Sequence, residues 1–356
     1  MDSLLLGPDV VARYKSFDPS LRISSRGADD GQYVYSILYD PLLIKRNNLD
    51  LFDNASYRYH RILYPWMAYV LSGSLPRCFP YALLLINLAS YVTGAFVARR
   101  LSCRLQWPSW VVVAGYLSIS GLVYSVFRSL TEPLALTLVI AGLCAEAEGR
   151  HRLAVVSFAS SVLAREISIT VPLTVYLFQL IEGKFLRREV LIKISLVLLP
   201  ALLWWGYVGF CLPGQSSFGI PSWSPPSFGW GRFTLPFLGM WQEGVFGWRH
   251  LTTATELKRT LSLLIVSGGL VLISWVGFSI KRTLWSCLAA SQGLFIVLLR
   301  GDLWNYHAGS SRVVIPFFFL LIAWIADELK CVFGSFGRLK ANDKSGVSPL
   351  RPPFTS

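Results

Sequence analysis

The chain has 356 residues, 53% of them hydrophobic and 15% charged, with a mean hydropathy of +0.50; this composition excludes an ordinary soluble domain and describes a chain whose solvent is largely lipid. The formal charge of +13 does not indicate nucleic-acid binding, and no nucleic acid is expected as a partner, because Lys and Arg gather in short loops between apolar runs as membrane orientation requires. Six cysteines (Cys78, Cys103, Cys144, Cys211, Cys287, Cys331) contain no C-x-x-C pair and four histidines show no zinc spacing, so the cysteines read as buried small hydrophobes.

Residues 1–61 are mixed and polar, with 8 Lys+Arg against 8 Asp+Glu, and are read as an extracytoplasmic N-terminal segment. The opening MDSLLLGPDVVARYKS reaches charge before an apolar core develops, unlike a cleavable signal. Within RGADDGQYVYSILYDP, Asp29 and Asp30 precede Gly31, a turn that presents a carboxylate just above a short amphipathic helix. There it could act as a general base or ligate a divalent cation, and an Asx turn or helix cap accounts for the same residues. Arg58 and Arg61 of YRYHRILYPWMAYVL are three apart, on one face if the piece is helical. Paired guanidiniums suit a phosphate, whether a substrate's or an ordinary lipid headgroup's. Asn54-Ala55-Ser56 matches a glycosylation sequon, a triplet that arises readily by chance.

The apolar piece at 62–75 is too short to cross and is expected at the interface or re-entering. Spans are predicted at 79–98, 108–127, 130–147, 190–212, 260–280, 283–299 and 313–330. The stretch 153–182 is long for one span and carries Arg165 and Glu166 near its middle; a hairpin of two short helices with these residues at its tip spares an unpaired buried charge. This makes an all-α polytopic protein with a transmembrane bundle over 62–333, an outer loop at 213–259 rich in Pro, Gly and Trp, and a disordered cytoplasmic tail at 334–356. The basic clusters at Arg99/Arg100/Arg104, Arg150/Arg152, Lys184 to Lys193, Lys281/Arg282 and the tail fall together on one side, 16 Lys+Arg against 7 Asp+Glu, so that side is assigned to the cytoplasm.

The ionisable residues of FRSLTEPLAL, LAREISITVP and YHAGSSRVVIP then fall on the outer side with Asp29, Asp30, Arg58 and Arg61. Arg128 and Glu132, four apart, can pair on a helix, and Arg165 beside Glu166 reads as a similar neutral unit; helix packing is the plain role of both. Arg312, with His307 nearby, closes the set.

This layout resembles the GT-C superfamily of polytopic glycosyltransferases. More closely, DDGQYVYSILYDP, YRYHRILYP, SLTEPLAL and LAREISI are similar to a bacterial integral-membrane family linked to cell-surface glycopolymer formation. Usable motifs cover residues 27–170. The resemblance implies a GT-C-like bundle of about 8–9 transmembrane helices with a short helical hairpin and an outward-facing cavity in the inner (plasma) membrane, the C-terminus cytoplasmic. It implies transfer of a sugar, with inversion, from a polyprenyl-phosphate-linked donor to a glycan or glycolipid acceptor. Asp30 (or Asp29) would be the catalytic base; Arg58, Arg61, Arg128, Arg165, Arg312 and His307 would bind substrate phosphate; Glu132 and Glu166 would orient the arginines. No cofactor is certain; Mg2+ or Mn2+ stays open, as does any metal site. One departure is that GT-C proteins usually place a transmembrane helix before the external Asp loop and this sequence has none upstream of Asp29: either Met1 is a late start or the N-terminal tail is translocated ahead of the first span. A carrier or flippase for a lipid-linked saccharide, or a non-catalytic subunit of envelope assembly, are the alternatives. No internal repeat of the kind many transporters carry is present.

Overall fold

The computed structural model describes residues 6–19, 21–22, 30–183, 186–213, 269–297 and 315–345, and over these the chain is all-helical with no strand. A small helical cap comes first: α1 (Pro8–Tyr14), α2 (Gly31–Ile37), α3 (Ala55–Tyr59) and α4 (Leu63–Leu71). The bundle follows as α5 (Phe79–Leu105), α6 (Ser109–Leu117), α7 (Ser120–Phe127), α8 (Glu132–Ala147), α9 (His151–Ala164), α10 (Thr170–Ile181) and α11 (Arg187–Cys211). Beyond the outer loop lie α12 (Gly269–Ile280), α13 (Leu284–Val297) and α14 (Ile315–Ser345).

Local sequence accounts for the boundaries. α3 starts at Asn54, whose side chain accepts the Tyr57 N–H, so the sequon-like triplet is a helix cap in this fold. α8 starts with Glu132-Pro133, an acidic residue at the positive end of the helix dipole followed by a proline whose missing N–H costs nothing there. α9 stops at Arg165, which adopts an extended conformation (φ −159°, ψ 122°), and a 3₁₀ turn over Glu166–Ile169 leads into α10.

α8 is the hub: it packs on α5 and α9, touches α7 and α14, and is buried along most of its length. The approach to α9 is close at Gly142, where a Cβ would run into the Phe158 ring, so this site admits only glycine without a shift. The outer surface tells what surrounds the bundle. On α5 the exposed residues Tyr81, Leu85, Leu88, Val92 and Phe96 recur every three or four positions, and on α11 Leu191, Ile192, Leu196, Leu199, Leu202, Leu203 and Phe210 are similarly exposed. Apolar stripes of this kind are stable against lipid and costly against water.

Pro76–Leu105 and Arg187–Cys211 are long and apolar enough to cross a membrane, and α6 with α7, bent by 49° at their junction, makes a third crossing if the pair is one span. Of the seven spans read from hydropathy, those at 79–98 and 190–212 coincide with these two helices and that at 108–127 with the bent pair, while those at 260–280, 283–299 and 313–330 lie partly outside the described residues. α8, at 16 residues, is short of the ~20 residues that a crossing needs, whereas α12 and α13 each abut residues outside the description. An apolar run serves helix burial as well as lipid contact, and α8 turns its apolar residues toward its neighbours. The expected hairpin at 153–182 is broken at Arg165, with both arms packed on α11. α14 runs to Ser345, past residue 334 where the tail was drawn. Most of the outer loop at 213–259 lies outside the described residues. Cys78 and Cys103 are exposed, so the reading of all six cysteines as buried does not hold for these two.

Candidate functional site

Ionisable side chains collect at the two ends of the bundle. Glu132 and Glu146 open and close α8, about 21 Å apart at 1.5 Å per residue. At the Glu146 end, Arg100 binds Glu148 (2.5 and 2.8 Å), His151 Nδ1 lies 2.9 Å from Glu146, and Lys281 lies 3.1 Å from Glu328. The Glu132 end holds the candidate site.

There the cap meets the bundle. Asp30, Tyr33, Val34 and Ile37 of the α2 region, Arg58 and Arg61 of the α3 region, and Leu130, Thr131 and Glu132 before and at the start of α8 line one cleft. Its volume is about 20 Å³, room for about one water. Asp30 occupies the N-cap position of α2, yet its side chain makes no capping bond; Oδ1 lies 3.1 Å from Arg58 Nη2. The capping account of this residue therefore does not describe the fold. Gly31, next to it, is held against the α7–α8 connection, and a Cβ there would land on the Arg128 carbonyl oxygen. Gly31→Ala is expected to cost about 1–3 kcal/mol by overpacking, because a backbone carbonyl cannot swing aside as a side-chain tip can. Thermal unfolding in detergent checks this; an unchanged midpoint would contradict it.

Arg58 is also chelated by Asp53, Nε to Oδ1 at 2.9 Å and Nη2 to Oδ2 at 2.8 Å, and stacks 4.2 Å over the Tyr33 ring. Burial works against the charge on Arg58, but the Asp53 hydrogen bonds and the Asp30 charge outweigh it and raise its pKa. Burial likewise pushes the Asp53 carboxyl up, and Arg58 more than reverses this, holding it below the usual carboxylate range. A folded pKa below the unfolded one stabilises at pH above the unfolded value and is lost as pH falls through the folded value. Asp53→Asn is thus expected to be less stable than the parent at neutral pH, by about 1 kcal/mol at most since Asp53 is 44% exposed and screened. The difference should vanish in acid below the ordinary carboxylate range; a constant difference across a pH series of unfolding midpoints would contradict the assignment.

Deeper in, Arg61 grips Glu166 with Nε to Oε2 at 2.8 Å and Nη2 to Oε1 at 2.6 Å, hydrogen-bonds the Tyr57 hydroxyl and lies 4.6 Å over the Tyr57 ring. Arg165 forms an ion pair with Glu132, and both are buried. The pairing differs from the sequence expectation: Glu132 meets Arg165 instead of being set beside Arg128 on one helix, and Glu166 meets Arg61 instead of its neighbour. The reason is local. The backbone breaks between α7 and α8, with Ser129 at φ 55°, so Arg128 and Glu132 share no helix; Arg128 lies 5.2 Å over the Tyr124 ring. Arg165 and Glu166 are consecutive and point to different partners across the extended break.

Asp30, Arg58, Arg61, Glu132, Arg165 and Glu166 are therefore gathered at one end of the bundle, while Asp29, His307 and Arg312 lie outside the described residues. Asp53 and Tyr33 belong to the same site and were not singled out from sequence; an acidic residue just before a short helix that carries an arginine in its last turn was the available signal. Among the described residues no three His, Cys, Asp or Glu side chains converge to hold a metal ion, so no step is derived through Mg2+ or Mn2+. His60, buried beside Trp205 at 5.3 Å between ring centres, is pulled below its ordinary pKa by burial, with Glu166 opposing and Arg61 reinforcing the fall. No family model, curated protein or solved structure matches the chain.

Proposed function

We propose that the chain is a membrane glycosyltransferase that moves a sugar from a polyprenyl-phosphate carrier to a glycan or glycolipid acceptor at the outer membrane face, with inversion. The observation that supports this best is the Asp30 carboxylate 3.1 Å from Arg58, in a cleft shared with Arg61, at one end of a bundle with lipid-type surfaces. In this reading the acceptor O–H attacks the anomeric carbon, its proton passes to Asp30, and the bond to the carrier phosphate breaks with its electron pair on the phosphate oxygen. Arg58 and Arg61 stabilise that charge. The cleft has to open to admit the donor, and a phosphate that takes over the Arg58 guanidinium releases Asp30 to act as base. An apolar groove of about 370 Å³ lined by Ile62, Leu163, Pro200, Leu203, Trp204 and Tyr207 begins next to Arg61 in sequence and offers a path for the carrier's chain.

A second reading, a carrier or a non-catalytic subunit, draws on a different observation: Arg58, Arg61 and Arg165 are each paired with carboxylates around a water-sized cleft, as a purely structural clamp would be. Glycan and lipid-linked-sugar profiles of cells carrying the parent, a deletion or Asp30→Asn, with protein levels checked, separate the two. Loss of the same glycopolymer sugar in deletion and variant, with accumulation of the polyprenyl-phosphate sugar, supports the transferase. A change in the deletion alone leaves Asp30 structural and sinks it.

A further inference from the structure

The exposed loop that follows α2 is braced by a buried carboxylate. Asp40, 4% exposed, accepts the backbone N–H groups of Ile44 (2.8 Å), Lys45 (3.0 Å) and Arg46 (2.7 Å), which folds residues 40–46 into a tight arch. Leu43 and Arg46 both take positive φ of 54° to complete it. Leu43 is buried in a cluster with Tyr59, Val208, Cys211 and Leu212, so the base of the arch rests on the last turn of α11. The Tyr207 hydroxyl donates to the Leu42 carbonyl at 2.6 Å. The tip faces the other way: Leu42 is 43% and Ile44 74% exposed, followed directly by Lys45 and Arg46, also exposed.

The depth of this arch is set by α11, one of the helices able to cross a membrane. Its first turn carries the exposed Arg187 and Arg188 and its last turns the exposed rings of Tyr207 and Phe210, an arrangement in which aromatic rings mark the headgroup level. An arch fastened to Tyr207 therefore lies at that level, with two aliphatic side chains pointing out of the protein and two cations beside them. Aliphatic residues favour the acyl boundary and cations favour the phosphates just above it.

We propose that residues 42–46 are a membrane anchor: Leu42 and Ile44 enter the outer-leaflet interface and Lys45 and Arg46 bind the phosphates of anionic lipids. The anchor rests on the reading of Arg187–Cys211 as a crossing helix, not on the transferase reading. Since Asp40 ends the segment that Asp30 begins, the anchor also fixes the cleft at the headgroup plane.

The test uses the full chain, with its exposed native cysteines replaced, reconstituted in phosphatidylcholine vesicles with and without phosphatidylglycerol. An environment-sensitive fluorophore is placed on Ile44→Cys, on Leu42→Cys as a second reading of the same tip, on Phe17→Cys as an exposed reference in the cap, and on Leu203→Cys as a lipid-facing reference on α11. The expected result is blue-shifted emission at 42 and 44, quenched by shallow lipid-borne nitroxide and shielded from iodide, with position 17 iodide-accessible. Replacing Lys45 and Arg46 by Gln should remove any gain seen with phosphatidylglycerol. The anchor is overturned if 42 and 44 respond to iodide as 17 does, or if they are shielded from both quenchers, which would mean that protein covers the tip. Failure of lipid quenching at 203 would instead overturn the crossing helix, and the anchor with it.

Discussion

Glu132→Ala should lower stability by about 3–5 kcal/mol, because it removes the carboxylate from a buried ion pair and leaves the Arg165 guanidinium, 8% exposed, in surroundings that cannot solvate it. Arg165→Ala should also lower stability, and by less, because Glu132, 5% exposed, keeps the Arg61 charge nearby. The more telling variant is the double replacement Glu132→Leu with Arg165→Met. Two charges taken out of water incur a desolvation penalty that their attraction offsets only in part, so an apolar pair of similar volume should restore most of the lost stability. Thermal unfolding in detergent reads all three. Equal loss in the double variant would mean that the pair's hydrogen bonding, and not charge stranding, sets the cost; a parent-like Glu132→Ala would remove the pair from the interactions that hold α8 to the α9 break.

On the proposed transferase reading, Asp30→Asn should lower transfer by about 10²–10⁴-fold, the range that a positioned general base supplies. The fold should tolerate the change, since Asp30 is 33% exposed and Arg58 keeps its two bonds to Asp53. Turnover is measured in proteoliposomes as release of polyprenyl phosphate from the donor identified by the lipid-linked-sugar profile. Asp53→Asn provides the contrast: Asp53 holds Arg58 and has no part in proton transfer, so its loss should weaken donor binding while leaving the pH dependence of turnover in place. If Asp30→Asn turns over as the parent does, Asp30 is not the base, whatever the fate of the arginines.

Much of this protein's class was legible in the sequence. Apolar composition with basic short loops pointed to a membrane, and the exposed apolar stripes on α5 and α11 agree with that reading. The segments around Asp30, Arg58, Glu132 and Arg165 were identifiable because ionisable groups in apolar surroundings are too costly to be incidental. Which apolar runs are buried was not legible, since hydropathy does not distinguish α8, which is packed among other helices, from α11, whose apolar residues are exposed.

Nor was the pairing. Proximity in sequence favoured Arg128 with Glu132 and Arg165 with Glu166, whereas the fold joins Arg165 to Glu132 and Arg61 to Glu166, across more than 100 residues in the second case. Asp53 entered the site only because the cap folds back over the bundle. Sequence by itself determined that these charges had to be buried together or not at all, because desolvation is a property of the residue. Which charge meets which was decided by tertiary structure, because a Coulomb pair depends on distances that only the breaks at Ser129 and Arg165, and the packing around them, set.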